Sequence, residues 1–322
     1  MYGAYSGNRL EQTQSYTDLI TSFLPAARAG AIATAALWSP RRPTPLPGTP
    51  SLLECVESAP AAIHFPCGIG PMGMPSGGNG PSPGGDWMLR WCGMFVAAPL
   101  VTEYEFYRNE TQGKMLLPML SGLADYWQCW LQRTPIGNGS DYVLSDPDDN
   151  VGEQGWWMGC ALGRGPACTR WEDPIMSIGF LHRLFQVLPE LATALGEPSQ
   201  PWWAETLAHL PGYSTATLPS HCSGPGNQPP CFNASLTLIA KAGWSASGAP
   251  VPKQAMAMGA YSSWPLFPAE AVDVDDANAS LVRLVRDTAG ALFNVDPTLI
   301  GVDAFPAAVR ASIGLDEPIT CG

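Results

Sequence analysis

The chain has 322 residues, 46% of them hydrophobic and only 14% charged, with a formal net charge of −12. That composition can bury a large core and excludes a chain that is disordered throughout, and without a Lys/Arg run an acidic chain lacks the electrostatic footprint of a nucleic-acid binder. Twelve Trp, thirty-four Gly and thirty-three Pro fit aromatic-lined loops and long connections better than a simple bundle.

Met1 to Tyr16 is polar and aromatic, with neither the basic nor the apolar region of a signal peptide. A helix is predicted over 15–37, with Tyr16, Ile20, Phe23 and Ala27 on one face and a kink at Pro25. Its most apolar part, Ala26 to Trp38, is interrupted by Arg28 and falls short of about 20 residues, so no membrane span is expected. Residues Ser39 to Asp86 read as loop, rich in Pro and Gly, with order expected from about Ile63 onward. His64 is expected on the loop surface, with no role assigned.

The next stretch predicts an αα-hairpin. Val96, Leu100, Tyr104 and Tyr107 mark one helical stripe, over 96–108, and Leu116, Leu120, Leu123, Trp127 and Trp130 mark a second, over 114–132. A short polar connector, Asn109 to Gly113, makes the two antiparallel neighbours. Core packing explains the aliphatic positions. Asp86, Trp87 and Trp91, where the chain enters the hairpin, are a different matter. A carboxylate flanked by two indoles suits stacking on a sugar face while hydrogen-bonding its hydroxyls, and a helix cap beside a buried Trp fits the same residues.

After the hairpin, Asp141 to Trp157 carries the densest chemistry in the chain. A calcium loop of the EF-hand kind is excluded, because the glycine comes one place late, at Gly152, and the twelfth position is Trp157 where a Glu is needed. Three more helices follow: 174–195 with Ile178, Leu181, Phe185, Leu188 and Ala192 buried, 202–209, and 279–293 with Leu281, Leu284, Val285, Thr288 and Leu292 inward. Asp173 reads as a helix cap and His182 as a structural histidine.

Cys55 with Cys67, Cys160 with Cys168 and Cys222 with Cys231 form local pairs in Gly/Pro-rich loops, where short disulfides are expected, while Cys92 and Cys129 read as buried free thiols. None has metal-ligand spacing, so no metal site is expected, and no cofactor motif is present. Asn109, Asn138, Asn233 and Asn278 each begin a glycosylation sequon, which favours a secretory route.

The order of these features resembles that of the six-hairpin glycosidases. Asp86-Met88-flanked Trp87, then Trp91, the phrase Glu103-Tyr104-Glu105-Phe106-Tyr107, a polar break, and Met115-Leu116-Leu117-Pro118-Met119-Leu120 look most like glycoside hydrolase family 95, the α-L-fucosidase group. The resemblance implies an all-α fold, an (α/α)6 toroid of helical hairpins, here incomplete and with long Gly/Pro-rich loops. It treats residues 1–322 as a single catalytic domain truncated at both ends, because the family's paired Asn would precede Met1 and the Asp that activates one of them would follow Gly322.

The family's general acid is a Glu in the loop after the hairpin, and Glu153 falls nearest to it, with Asp148 and Asp149 as the other candidates. Beside Trp156 and Trp157 such a carboxyl would be partly desolvated and suited to protonate a leaving oxygen. A solvated acidic loop with structural tryptophans fits the same residues. Asp86, Trp87, Trp91, Asp149, Trp156 and Glu270 are the expected substrate-binding residues, and loops at one rim would bring Asp86, Trp87, Glu153, Trp156 and Glu270 together. One departure weakens an α-L-fucose assignment: where the family has a histidine-lined loop before an aromatic-Pro step, this chain has Tyr261 and Trp264. The expected function is hydrolysis of an oligo- or polysaccharide, with a non-catalytic carbohydrate-binding or scaffold protein as the alternative. A polysaccharide lyase is disfavoured by the acidic loop and the four histidines.

Overall fold

The computed structural model describes residues 10–41, 50–69, 89–136, 141–146, 149, 173–218, 236–239, 264–266, 268–272 and 276–293. Among them are seven helices: α1 (Gln14–Trp38), α2 (Leu52–Ser58), α3 (Cys92–Tyr107), α4 (Glu110–Trp130), α5 (Ile175–Leu195), α6 (Pro201–His209) and α7 (Ala279–Phe293). Four short strands accompany them, β1 (Gln132–Pro135), β2 (Tyr142–Ser145), β3 (Thr215–Leu218) and β4 (Leu236–Ile239). The chain is therefore mainly α-helical, as its periodicity predicts. The strands form two two-stranded ribbons that the helical pattern does not reveal.

The residues divide into two compact units. The first holds residues 1–144, 156–168 and 184–210, and the second holds 145–155, 169–183 and 211–322.

In the first unit α3 and α4 pack as the predicted hairpin. The two helices approach closely at Gly93, where a Cβ would lie 2.7 Å from a Leu123 methyl. Val96, Leu100, Tyr104, Leu116, Leu120, Leu123, Trp127 and Trp130 are all buried, and α3 buries residues around its whole circumference, as a core helix does. The connector is tighter than the sequence predicts. Arg108 turns the chain in the left-handed region and donates its N–H to the Tyr104 carbonyl, and the Asn109 side chain then accepts from the Gln112 N–H at 3.2 Å. Asn109 is thus the N-cap of α4, which starts at Glu110.

Residues 52–58, within the stretch read as loop, form a helix. Ser51 and Glu54 make a capping box, Ser51 N–H to Glu54 Oε2 at 2.7 Å and Glu54 N–H to Ser51 Oγ at 3.3 Å, the Ser-x-x-Glu signal of a helix start. Beyond it, Ala62 to Pro66 is buried in extended form, the reverse of an exposed loop. Its backbone donors are satisfied by neighbouring helices: Ile63 N–H to the Gly122 carbonyl at 3.0 Å and His64 N–H to the Ala27 carbonyl at 3.1 Å. Gly122 is what lets this strand lie so close to α4, since a Cβ there would collide with the Ala61 carbonyl oxygen. Gly122→Ala is expected to cost about 1–3 kcal/mol through overpacking. Denaturant unfolding checks this, and an unchanged midpoint would show that the segment has room to shift.

The disulfides also differ from the local pairs expected. Cys55 is joined to Cys129 and Cys67 to Cys92. The cysteines on the hairpin are therefore not free thiols: α4 brings Cys129 beside α2, and the buried extended segment brings Cys67 to the start of α3. Cys160, Cys168, Cys222 and Cys231 lie outside the described residues.

Helix α1 is by length and composition apolar enough to cross a bilayer, whereas the sequence reading confined its apolar part to Ala26–Trp38 and expected no span. Here Ile20, Phe23, Ala27, Ala31 and Ala35 are buried, and Arg28 donates to the carbonyls of Val56 and Ala62 at 3.1 and 2.9 Å. One face of the helix therefore packs within the first unit. The helix runs unbroken through Pro25.

In the second unit β3 and β4 pair antiparallel, with Thr215 opposite Ile239 and Leu218 opposite Leu236. Helix α7 packs on β4, and its buried Thr288 accepts from the Ile239 N–H at 2.9 Å. The Asn278 side chain accepts from the Leu281 N–H, so this sequon too supplies a helix cap.

Candidate functional site

The described residues place the predicted site in two parts. Trp91 belongs to the first unit, Asp149 and Glu270 to the second, while Asp86, Trp87, Glu153 and Trp156 lie outside the described residues.

At the entrance to α3, Trp91 is only 7% exposed and meets Phe95 edge to face at 5.8 Å. Its indole is therefore packed between neighbours. Next to it, the buried Arg90 guanidinium sits 4.3 Å over the Trp130 ring and 5.9 Å from the Trp127 ring, a desolvated cation–π contact of about 2 kcal/mol. His64, expected at the surface, is fully buried and lies parallel to Tyr126 with ring centroids 4.8 Å apart. Arg90 and His64 therefore both rest on aromatic rings carried by α4.

The second unit holds the acidic group. Asp146 and Asp173 are tied twice: the Asp146 N–H donates to the Asp173 carboxylate at 2.7 Å and the Asp173 N–H donates to the Asp146 carbonyl at 2.9 Å. Asp173 has a φ of 50°. Its carboxylate holds the acidic loop at the start of α5, which begins at Ile175. Three residues past Asp146, Asp149 is 2% exposed, and its Oδ2 accepts from the Ser177 hydroxyl at 2.7 Å. A buried carboxylate is thus held in one orientation at the N-terminal turn of a helix, where the positive end of the dipole favours negative charge.

Farther along α5, Glu270, with a φ of 52°, lies 4.0 Å from the Arg183 guanidinium. Ser177 and Arg183 are six residues apart, about 9 Å along the helix, so one helix anchors both Asp149 and Glu270. Between them the turn at Pro265 and Ala269 packs on Gly179, 3.4 Å from where a Cβ would sit. Trp264 is buried edge to face against Phe180 at 5.6 Å.

His182 is the structural histidine expected. Its Nε2 is 3.0 Å from the Pro211 carbonyl and its ring lies 5.4 Å from Tyr213. Burial lowers its pKa below 6.5, and the Pro211 contact opposes only part of that. An imidazole buried in its neutral form contributes its full stability above the unfolded value of about 6.5 and loses it as the pH falls through the depressed folded value. The stability advantage of the wild type over His182→Gln is therefore expected to shrink between pH 7.5 and pH 5, read by denaturant unfolding at both. An advantage that is constant or grows on acidification contradicts this.

Ser177, Arg183 and the Asp146–Asp173 clamp carry no sequence motif. The only signal that could have raised Ser177 is its place one turn into a helix that follows an acidic loop. Among the described residues no group of three or more His, Cys, Asp or Glu is arranged to hold a metal ion. No family model matches the chain, and no curated protein matches it.

Proposed function

We propose that the protein is a glycoside hydrolase of the six-hairpin, (α/α)6 toroid type, acting on an oligo- or polysaccharide as an α-L-fucosidase-like or related exo-glycosidase. The observation that carries this reading is the acidic loop after the hairpin. Its Asp149 carboxylate is buried and fixed by Ser177, the loop is clamped through Asp146 and Asp173, and Glu153 follows four residues later beside Trp156 and Trp157. Glycoside hydrolysis needs one carboxylic acid to protonate the leaving oxygen and a second group on the other side of the anomeric carbon. In this reading Glu153 is the acid, Asp149 orients the substrate, and Asp86 and Trp87 bind the sugar with Glu270 and Trp156. The disulfides and the sequons at Asn109 and Asn278 support folding in an oxidising, secretory compartment.

One observation favours a second reading, a carbohydrate-binding protein without turnover. Trp264 is packed against Phe180 where the fucosidases have histidines, so that part of their site has no counterpart here. A panel of aryl glycosides separates the two: turnover lost in Glu153→Gln supports the hydrolase, and saturable sugar binding without turnover supports the binding protein.

A further inference from the structure

The hairpin carries a polar groove at its other end, twelve residues along α3 from Trp91, about 18 Å away. It has a volume of about 520 Å³ and lies between the first turns of α1 and the α3–α4 connection, with all its lining residues in the first unit. Thr17, Thr21, Ser22 and Thr111 supply hydroxyls, Gln14, Asn109 and Gln112 supply amides, and Asp18 and Glu103 supply carboxyls. No Lys or Arg lines it, so an anion would meet only repulsion. Glu103 is an unusual floor for such a groove, a carboxyl on a core helix with 4% exposure.

One oxygen of that carboxyl, Oε1, accepts from the Thr13 hydroxyl at 2.9 Å. The other, Oε2, is buried without a hydrogen bond, and so are both ends of the Gln112 amide, Nε2 and Oε1. Gln112 lies near enough to the carboxyl to favour its charged form, against the stronger effect of burial, which raises the pKa, but the two side chains do not close a bond of good geometry. Three polar atoms are thus left in want of two donors and one acceptor, and a polar group buried without a partner is destabilising.

We infer that this groove is a binding site for a small neutral polyol or saccharide, recognised through a vicinal diol. One hydroxyl donates to Glu103 Oε2 while accepting from Gln112 Nε2, and its neighbour donates to Gln112 Oε1, so two adjacent hydroxyls satisfy all three atoms. The surrounding Thr and Ser hydroxyls, each both donor and acceptor, complement the rest of such a ligand. An ammonium group has no acceptor for the amide N–H and leaves one of the three unmet. This site stands apart from the acidic loop and does not rest on the hydrolase reading.

The test is calorimetric titration of the folded chain with myo-inositol and methyl α-D-glucopyranoside, with 1,3-propanediol, ethylammonium chloride and sodium acetate as comparisons. The expected result is saturable binding of at least one vicinal diol, on the order of 1 mM, weakened tenfold or more by Glu103→Gln and by Gln112→Ala. Thr21→Arg, at an exposed position on the groove wall, should block binding without disturbing the core. Absence of saturation by any diol, equal binding of 1,3-propanediol, preference for ethylammonium, or binding indifferent to all three groove substitutions would each overturn the assignment.

Discussion

Replacing Cys55 and Cys129 together by alanine is expected to destabilise the first unit by about 4 kcal/mol, the chain-entropy value for a closed loop of this length. The pair is separated by 74 residues, and the loop it closes contains α2, the buried segment Ala62 to Pro66, α3 and most of α4. In the unfolded chain that crosslink removes many conformations, whereas a local Cys55–Cys67 bridge would remove few. The second disulfide, Cys67–Cys92, is nested inside the first, so its removal alone should cost less. Thermal unfolding of the double variant should occur roughly 10 °C lower than that of the wild type. Non-reducing peptide mapping should recover the Cys55–Cys129 and Cys67–Cys92 peptides, and a map showing Cys55 joined to Cys67 would contradict the packing of α2 against α4.

The reason the sequence pointed to the wrong partners is physical. Proximity along the chain favours short loops, but disulfides form between cysteines that the folded backbone brings within reach, 5.7 Å between Cα atoms for Cys55 and Cys129. That proximity is made by helix packing. The hairpin itself was legible, since a 3.6-residue stripe such as Leu116, Leu120, Leu123, Trp127, Trp130 leaves little freedom in which face is buried. Helix α2 was legible in principle, through Ser51 and Glu54, but lies within a Pro/Gly-rich surround that masks a short helix. His64 could not be placed from the sequence, because its burial follows from its N–H donating to the Ala27 carbonyl of α1 and its ring stacking on Tyr126 of α4, contacts between segments far apart in the chain.

The site was legible in the same uneven way. The density of acidic and aromatic residues between Asp141 and Trp157 marks the loop, and Asp149 within it proves to be buried and held. What holds it, Ser177, is 28 residues away and is an ordinary residue on an ordinary helix. Glu270 was chosen from a family phrase, and its partner Arg183 comes from the opposite face of the argument, a helix read only for its apolar stripe. Such contacts are set by the fold. Two of the four sequons, at Asn109 and Asn278, carry a second meaning that spacing cannot separate from the first, because Asn is also a good helix cap.

The second large effect is expected on catalysis. If Glu153 protonates the leaving oxygen, Glu153→Gln removes the proton donor while keeping the shape of the side chain, and turnover should fall about 10²- to 10⁴-fold. The loss should be smaller for aryl leaving groups that depart without protonation. Asp149→Asn should act differently. It keeps an acceptor for the Ser177 hydroxyl but removes the charge, so it should raise KM or lower kcat more modestly. Ser177→Ala should move the same parameter in the same direction, because it removes a hydrogen bond that orients the Asp149 carboxylate.

The central claim is that the acidic loop after the α3–α4 hairpin performs glycoside hydrolysis, and kcat/KM on a panel of aryl glycosides, α-L-fucoside included, tests it most directly in the wild type, Glu153→Gln and Asp149→Asn with matched thermal stability. The account predicts measurable turnover of at least one glycoside by the wild type and, for the glycosides whose leaving group is poor enough to need protonation, a loss of at least a hundredfold in Glu153→Gln. No turnover of any glycoside by the folded protein, or turnover unchanged in both variants, would contradict it.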